Sequence, residues 1–126
     1  MVMKTENAVQ AKSFAFAVRI VWLYQHLSLK KKEYILSKQV LKSGTSIGAN
    51  VEEALGGQSR ADFVAKFRIA YKEARESCYW LRLLKETDYL TQSEFESIHA
   101  GAEELCRIIA AILKTTKLDK VDPKSE

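Results

Sequence analysis

The chain has 126 residues, enough for one domain and too few for two well-filled cores. Apolar residues make up 47% and charged residues 29%, proportions that can bury a core and that exclude a disordered chain. One proline and five glycines leave little for turns and exclude collagen-like and many-stranded β architectures; 20 basic against 16 acidic side chains give a net charge of +4, a mild basic bias that suits a polyanionic partner without specifying one.

The N-terminus, Met1 to Gln10, lacks the basic-then-apolar layout of a secretion signal. A first helix is predicted from Val9 to about Leu27, with Phe16, Ile20, Leu23 and Leu27 as its core stripe. Phe14, Val18, Val21 and Trp22 carry apolar surface far around the same helix and leave Lys12, Arg19 and His26 on a narrow polar strip. Such a helix needs cover on more than one side. A second subunit is the expected cover, with Phe14, Val18 and Trp22 at the interface. The most apolar stretch, Ser13 to Leu29, includes Arg19, Gln25 and His26 and falls short of a bilayer span. No membrane role is expected, and the chain reads as a soluble, cytoplasmic protein.

Lys30 to Glu33 reads as a solvated turn, followed by a second helix from about Glu33 to Leu55 with Leu36, Val40, Ile47, Val51 and Leu55 in phase. Ser43-Gly44-Thr45-Ser46 and Gly48 are poor helix formers. The apolar period nevertheless holds across them, and Gly44 and Gly48 share a face where a neighbouring helix can approach closely. Gly56 and Gly57 suit a left-handed C-terminal cap. Ser46, Asn50 and Glu53 form a polar stripe of structural character, expected to bond toward the third helix or the turn holding Arg60.

Ser59 with Asp62 marks the start of a third helix, whose seam is Phe63, Phe67, Ala70, Ala74, Ser77, Leu81 and Leu84, a heptad pattern. Thr91 and Glu94 form a capping box, with Leu90 and Phe95 placed as a hydrophobic staple. The fourth helix then shows Phe95, Ile98, Ala102, Leu105, Ile109, Ile112 and Thr116 in phase. The fold class is therefore all-α, an up-down-up-down antiparallel four-helix bundle over residues 9–117, with flexible termini at 1–8 and 118–126.

The third helix also carries an outer row, Arg68, Lys72, Arg75, Tyr79 and Arg82. Guanidinium groups fork onto phosphates and a tyrosine stacks on an unpaired base, so the row is a candidate nucleic-acid surface. A solvated face held by Lys72–Glu76 and Arg82–Glu86 pairs is the competing account. Trp80 lies off the core seam and is a candidate interface anchor, with packing against a neighbouring helix as the equal alternative. Glu96 and His99 make one Glu-x-x-His step, but the second step and further glutamates of a di-iron site are missing, so no metal is expected; His99 pairs more simply with Glu103. Cys78 and Cys106 sit in apolar helical settings, at a spacing that neither staples loops nor binds zinc, and read as buried reduced thiols. No nucleophile signature and no phosphate loop is present, so no enzyme and no cofactor are expected.

Leu41-Lys-Ser-Gly-Thr-Ser-Ile-Gly-Ala-Asn50, continuing through Glu53, Ser59, Phe63 and Tyr79-Trp80-Leu81, resembles the small four-helix-bundle proteins encoded in intervening sequences of bacterial large-subunit ribosomal RNA genes. The resemblance spans about Phe14 to Lys117 and implies that the doubtful middle of the second helix is helical. That family is similar in turn to the accessory protein of diversity-generating retroelements, a ring of five bundles that binds nucleic acid and a reverse transcriptase. By that likeness the chain would be a homopentamer with basic surfaces. Its partners would be RNA or DNA, and a reverse transcriptase or another protein.

Overall fold

The structure, a computed structural model, describes residues 4–120. Helix α1 spans Lys4–Gln25 and runs into a π-helical turn, His26–Lys30; α2 is Leu36–Leu55, α3 is Arg60–Glu86 and α4 is Gln92–Lys120. Each helix packs on its chain neighbour and α1 closes the ring against α4, the expected up-down-up-down bundle. Among the described residues, no helix is long and apolar enough to cross a membrane.

The core is built largely from the predicted seams, with Ala54 and Val64 buried in place of the half-buried Leu55 and Phe63, and with Val9 and Ser13 added to the first stripe. Val9, Ser13, Phe16 and Ile20 of α1 and Leu27 of the π-helical turn are buried, with Leu23 half-buried between them. They meet Val40, Ile47 and Val51 of α2, Phe67, Ala70, Ala74, Leu81 and Leu84 of α3, and Ile98, Ala102, Leu105 and Ile109 of α4. Both outer helices extend beyond their expected ends. α1 starts at Lys4 rather than Val9, and α4 runs past Lys117 to Lys120. The extensions meet: Thr5 and Glu6 share a small recess with Ala111, Ile112, Thr115 and Thr116, so the first turn of α1 packs on α4 instead of hanging free. Residues 1–3 and 121–126 of the expected flexible termini lie outside the described residues.

The Ser43–Gly48 stretch is helical, and its two glycines explain why. A Cβ on Gly44 would stand 2.7 Å from Ile20 Cγ1, and one on Gly48 would stand 3.3 Å from the Ser13 carbonyl oxygen. Both glycines face α1; a side chain would clash with Ile20 at Gly44 and press tightly on the Ser13 backbone at Gly48, so they let α1 approach α2 closely. Tertiary packing thus overrides weak local propensity. On the α3 side, the Ser43 and Ser77 hydroxyls share a buried hydrogen bond of 3.0 Å.

The helix ends differ from the sequence reading in two places. α2 begins three residues later than expected because Glu33 is not its first turn but its cap. The Glu33 carboxylate accepts from the backbone N–H of Ile35, Leu36 and Ser37 at 3.1, 2.9 and 2.7 Å. Burial works against the charge, yet these donors hold the Glu33 carboxyl below its usual range. At the other end, neither Gly56 nor Gly57 has positive φ; the N–H groups of Gly56 and Gly57 close on Glu52 and Ala54 in right-handed geometry. The left-handed positions are Lys32 at φ 57° and Asp88 at φ 70°. At Asp88 the reason is a Schellman end: the Asp88 N–H donates to Lys85 and the Tyr89 N–H to Leu84. The predicted caps of the later helices form as expected. Ser59 Oγ accepts from the Asp62 N–H at 3.0 Å, and Thr91 and Glu94 exchange bonds of 3.1 and 2.9 Å.

Two consequences are measurable. Gly44→Ala pushes a methyl into Ile20; overpacking of about 1–3 kcal/mol outweighs a gain in helix propensity of about 1 kcal/mol. The variant should therefore unfold at lower urea concentration than the parent chain, and an unchanged or raised midpoint would contradict the close α1–α2 approach. Glu33→Gln should be less stable than the parent near neutral pH. Because the folded-state pKa is depressed, that gap is present above the ordinary carboxylate range and closes as pH falls through the lowered pKa of Glu33. A gap independent of pH would contradict the charged cap.

Candidate nucleic-acid interface

The heptad that buries Phe67, Ala74 and Leu81 necessarily turns the residues one place later, Arg68, Arg75 and Arg82, away from the core. Arg68, Lys72, Arg75, Tyr79 and Arg82 are all exposed, so the predicted row exists as one surface along α3. Tyr79 presents a half-exposed ring, set edge-on to Trp80 at 5.0 Å between centroids. The pairs that would have neutralised the row do not form. Among the described residues, Lys72 makes no ion pair with Glu76, and Arg82 makes none with Glu86. Glu76 instead accepts the Trp80 indole N–H at 2.9 Å, and Glu86 lies 3.9 Å from Lys85.

The row borders a groove between α3 and α4 of about 780 Å³, lined by Arg75, Tyr79 and Arg82 on one wall and by His99, Glu103, Cys106 and Arg107 on the other. Past Tyr71 and Ala110 it continues into a recess of about 340 Å³ that adds Arg68 and Lys114. Lys72 lies outside both. Arg107 and Lys114 therefore extend the basic surface onto α4. They are seven residues apart, a helical repeat visible in the sequence, but which α4 flank faces the α3 arginines depends on the hairpin register. Glu76 and Glu103 also line the groove and temper its positive charge, and Glu103 is engaged by His99 at 3.7 Å, the expected pair. His99 also stacks on Phe95 at 4.6 Å. Arg75 donates to the Tyr71 hydroxyl at 3.4 Å, which steadies it at the groove wall.

The outer face of α1 is a second surface. Phe14 and Trp22 are 69% and 64% exposed, Val21 is exposed and Val18 is half-exposed. The polar strip of α1 is used elsewhere: Lys12 pairs with Glu104 at 3.1 Å, and Arg19 donates to the Ser97 hydroxyl at 2.9 Å, both on α4. Trp80 does not join this face. It is half-buried on α3, diagonal to α1, and packs against the core of its own bundle with its N–H satisfied. The polar stripe of α2 divides as well. Glu53 reaches α3 through Lys66 at 3.0 Å, whereas Asn50 bonds back to the Ser46 carbonyl at 2.8 Å, and Ser46 to the Lys42 carbonyl at 2.6 Å. Among the described residues, no group of three or more His, Cys, Asp or Glu side chains could hold a metal ion.

The model of the 23S rRNA-intervening sequence protein family matches residues 5–111 of this chain. Among solved structures, a protein of unknown function from the S23 ribosomal protein family of Bacteroides thetaiotaomicron is 51% identical, with 87% of this chain and 98% of that chain covered and a TM-score of 0.86. No curated protein matches this chain.

Proposed function

The chain belongs to the 23S rRNA-intervening sequence protein family, and from that premise we propose that it is a non-enzymatic homo-oligomer that holds RNA or DNA against the α3–α4 face. The observation that carries this reading is a set of arginines, Arg68, Arg75 and Arg82, that form no ion pair among the described residues and are continued by Arg107 and Lys114 across the groove and its adjoining recess. Guanidinium groups in a row match the repeated phosphates of a nucleic-acid backbone, and Tyr79 supplies a ring on which an unpaired base stacks. Such binding is electrostatic and has little sequence preference.

Oligomerisation rests on the outer face of α1. Phe14, Val18, Val21 and Trp22 form a contiguous apolar stripe open to solvent, the kind of surface that marks a protein–protein contact. By the family's likeness to the five-bundle accessory proteins of retroelements, the proposed oligomer is a pentamer that works in the cytoplasm with a nucleic-acid enzyme, such as a reverse transcriptase, as a co-binder. A ring repeats the basic face around its circumference, and weak phosphate contacts then act together. The competing reading is a protein-binding scaffold with no nucleic-acid contact, for which the half-buried Trp80 on α3 is the anchor.

Charge reversal separates the two readings. Arg68→Glu, Arg75→Glu and Arg82→Glu in one chain should leave helicity and assembly unchanged and abolish retention on RNA and DNA at low salt. In the parent chain, affinity should fall steeply with salt, and each arginine replaced singly by alanine should reduce the log–log slope by about 0.7–0.9. Unchanged retention by the triple variant would overturn the nucleic-acid reading and leave the scaffold.

A further inference from the structure

Cys78 and Cys106 are the two cysteines of the chain, and the fold brings them face to face. Cys78 lies on the flank of α3 that meets α4, Cys106 on the flank of α4 that meets α3, and both line the groove beside Arg75 and Arg107. Both are free and half-buried, open to small molecules that enter the groove. The two thiols are neighbours across the groove, close enough to shift each other's ionisation. That proximity, and then the positive charges of Arg75 and Arg107, favour the Cys106 thiolate against the opposing effects of burial and Glu103. The same proximity and burial hold Cys78 as a thiol, well above the usual range. Two guanidinium groups, Arg75 and Arg107, act on Cys106 and only Arg75 acts on Cys78, which marks Cys106 as the attacking sulfur and Cys78 as the resolving one.

We propose that Cys78 and Cys106 form a reversible disulfide across the α3–α4 groove when the protein meets a peroxide. The Cys106 thiolate attacks one peroxide oxygen; an S–O bond forms, the O–O bond breaks, and the departing hydroxide takes a proton and leaves as water. The Cys78 sulfur gives up its proton and attacks the Cys106 sulfur of the resulting sulfenic acid. The S–S bond forms, the S–O bond breaks, and a second water leaves. Two thiols and one hydrogen peroxide become one disulfide and two waters, the two electrons lost by sulfur having reduced the peroxide. A dithiol reductant reverses the bridge. The bridge pins α3 to α4 and removes the thiolate that offsets Arg75 and Arg107, so the oxidised groove is more positive than the reduced one.

The test is intact-mass and peptide mass spectrometry of the full native chain after dilute hydrogen peroxide. The expected product has lost two hydrogens, shows no free thiol after denaturation, yields a Cys78–Cys106 cross-linked peptide, and returns to the starting mass with dithiothreitol. Cys78→Ser should stop at a sulfenic acid on Cys106 that dimedone traps. Cys106→Ser should react about tenfold more slowly at Cys78, because the thiolate is the reacting species. Circular dichroism of both variants checks that the bundle is intact. Oxygen gain at either sulfur of the parent chain without hydrogen loss, cross-links only between chains, or thiols that remain free would each overturn the proposal. Equal reaction rates in the two serine variants would overturn the assignment of Cys106 as the attacking sulfur.

Discussion

An α-helix can carry two apolar seams, and a four-helix bundle covers only one of them. In α1 and its π-helical turn the inner seam is Val9, Ser13, Phe16, Ile20, Leu23 and Leu27, alternating steps of four and three and buried by α2 and α4. The outer seam, Ala11, Phe14, Val18 and Val21 with Trp22 beside it, follows the same rhythm on the opposite side. Burying one large apolar side chain is worth about 1.5–3 kcal/mol, so this face stores several kcal/mol per copy that only a further surface can release. The polar residues that would have solvated the face are committed to α4, Lys12 through Glu104 and Arg19 through Ser97. Those ties also fix the rotation of α1, which keeps the outer seam outward.

The basic surface follows from the same geometry. A heptad core on α3 fixes the angular position of every other residue on that helix, and Arg68, Arg75 and Arg82 recur at the core period itself. They cannot be dispersed without dispersing the core. The α3–α4 hairpin then brings in Arg107 and Lys114, and the acids nearest the row are drawn off by Trp80 and His99. The proposed assembly through α1 would leave α3 free, since the two helices are diagonal in the bundle. Core, apolar outer face and charged face occupy separate sectors, so such an assembly would multiply the last without covering it.

What the sequence made legible were features set by local periodicity or by pairs close in the chain. The four core seams, the Ser59 cap, the Thr91–Glu94 box and the close-packing role of Gly44 and Gly48 belong to this class. What escaped depends on register or on competition between partners. Glu33 looked like helix and is the cap, because its side chain reaches three orphaned N–H groups that the sequence cannot rank. The left-handed turn fell on Asp88 rather than on a glycine, since the Schellman bonds at the end of α3 dictate the backbone there. The expected Lys72–Glu76 pair lost its acid to an indole. The two cysteines, 28 positions apart, became neighbours only once the hairpin register was fixed.

The account stands on the apolar outer face of α1 being covered in solution. Sedimentation equilibrium of the full chain at micromolar concentration, with a Phe14→Glu, Trp22→Glu double variant run alongside, measures this most directly. The account predicts a parent particle several times the 14.3 kDa chain mass and a double variant that sediments as a folded single chain. A parent chain that is monodisperse at 14.3 kDa, with both aromatic side chains in water, would contradict it.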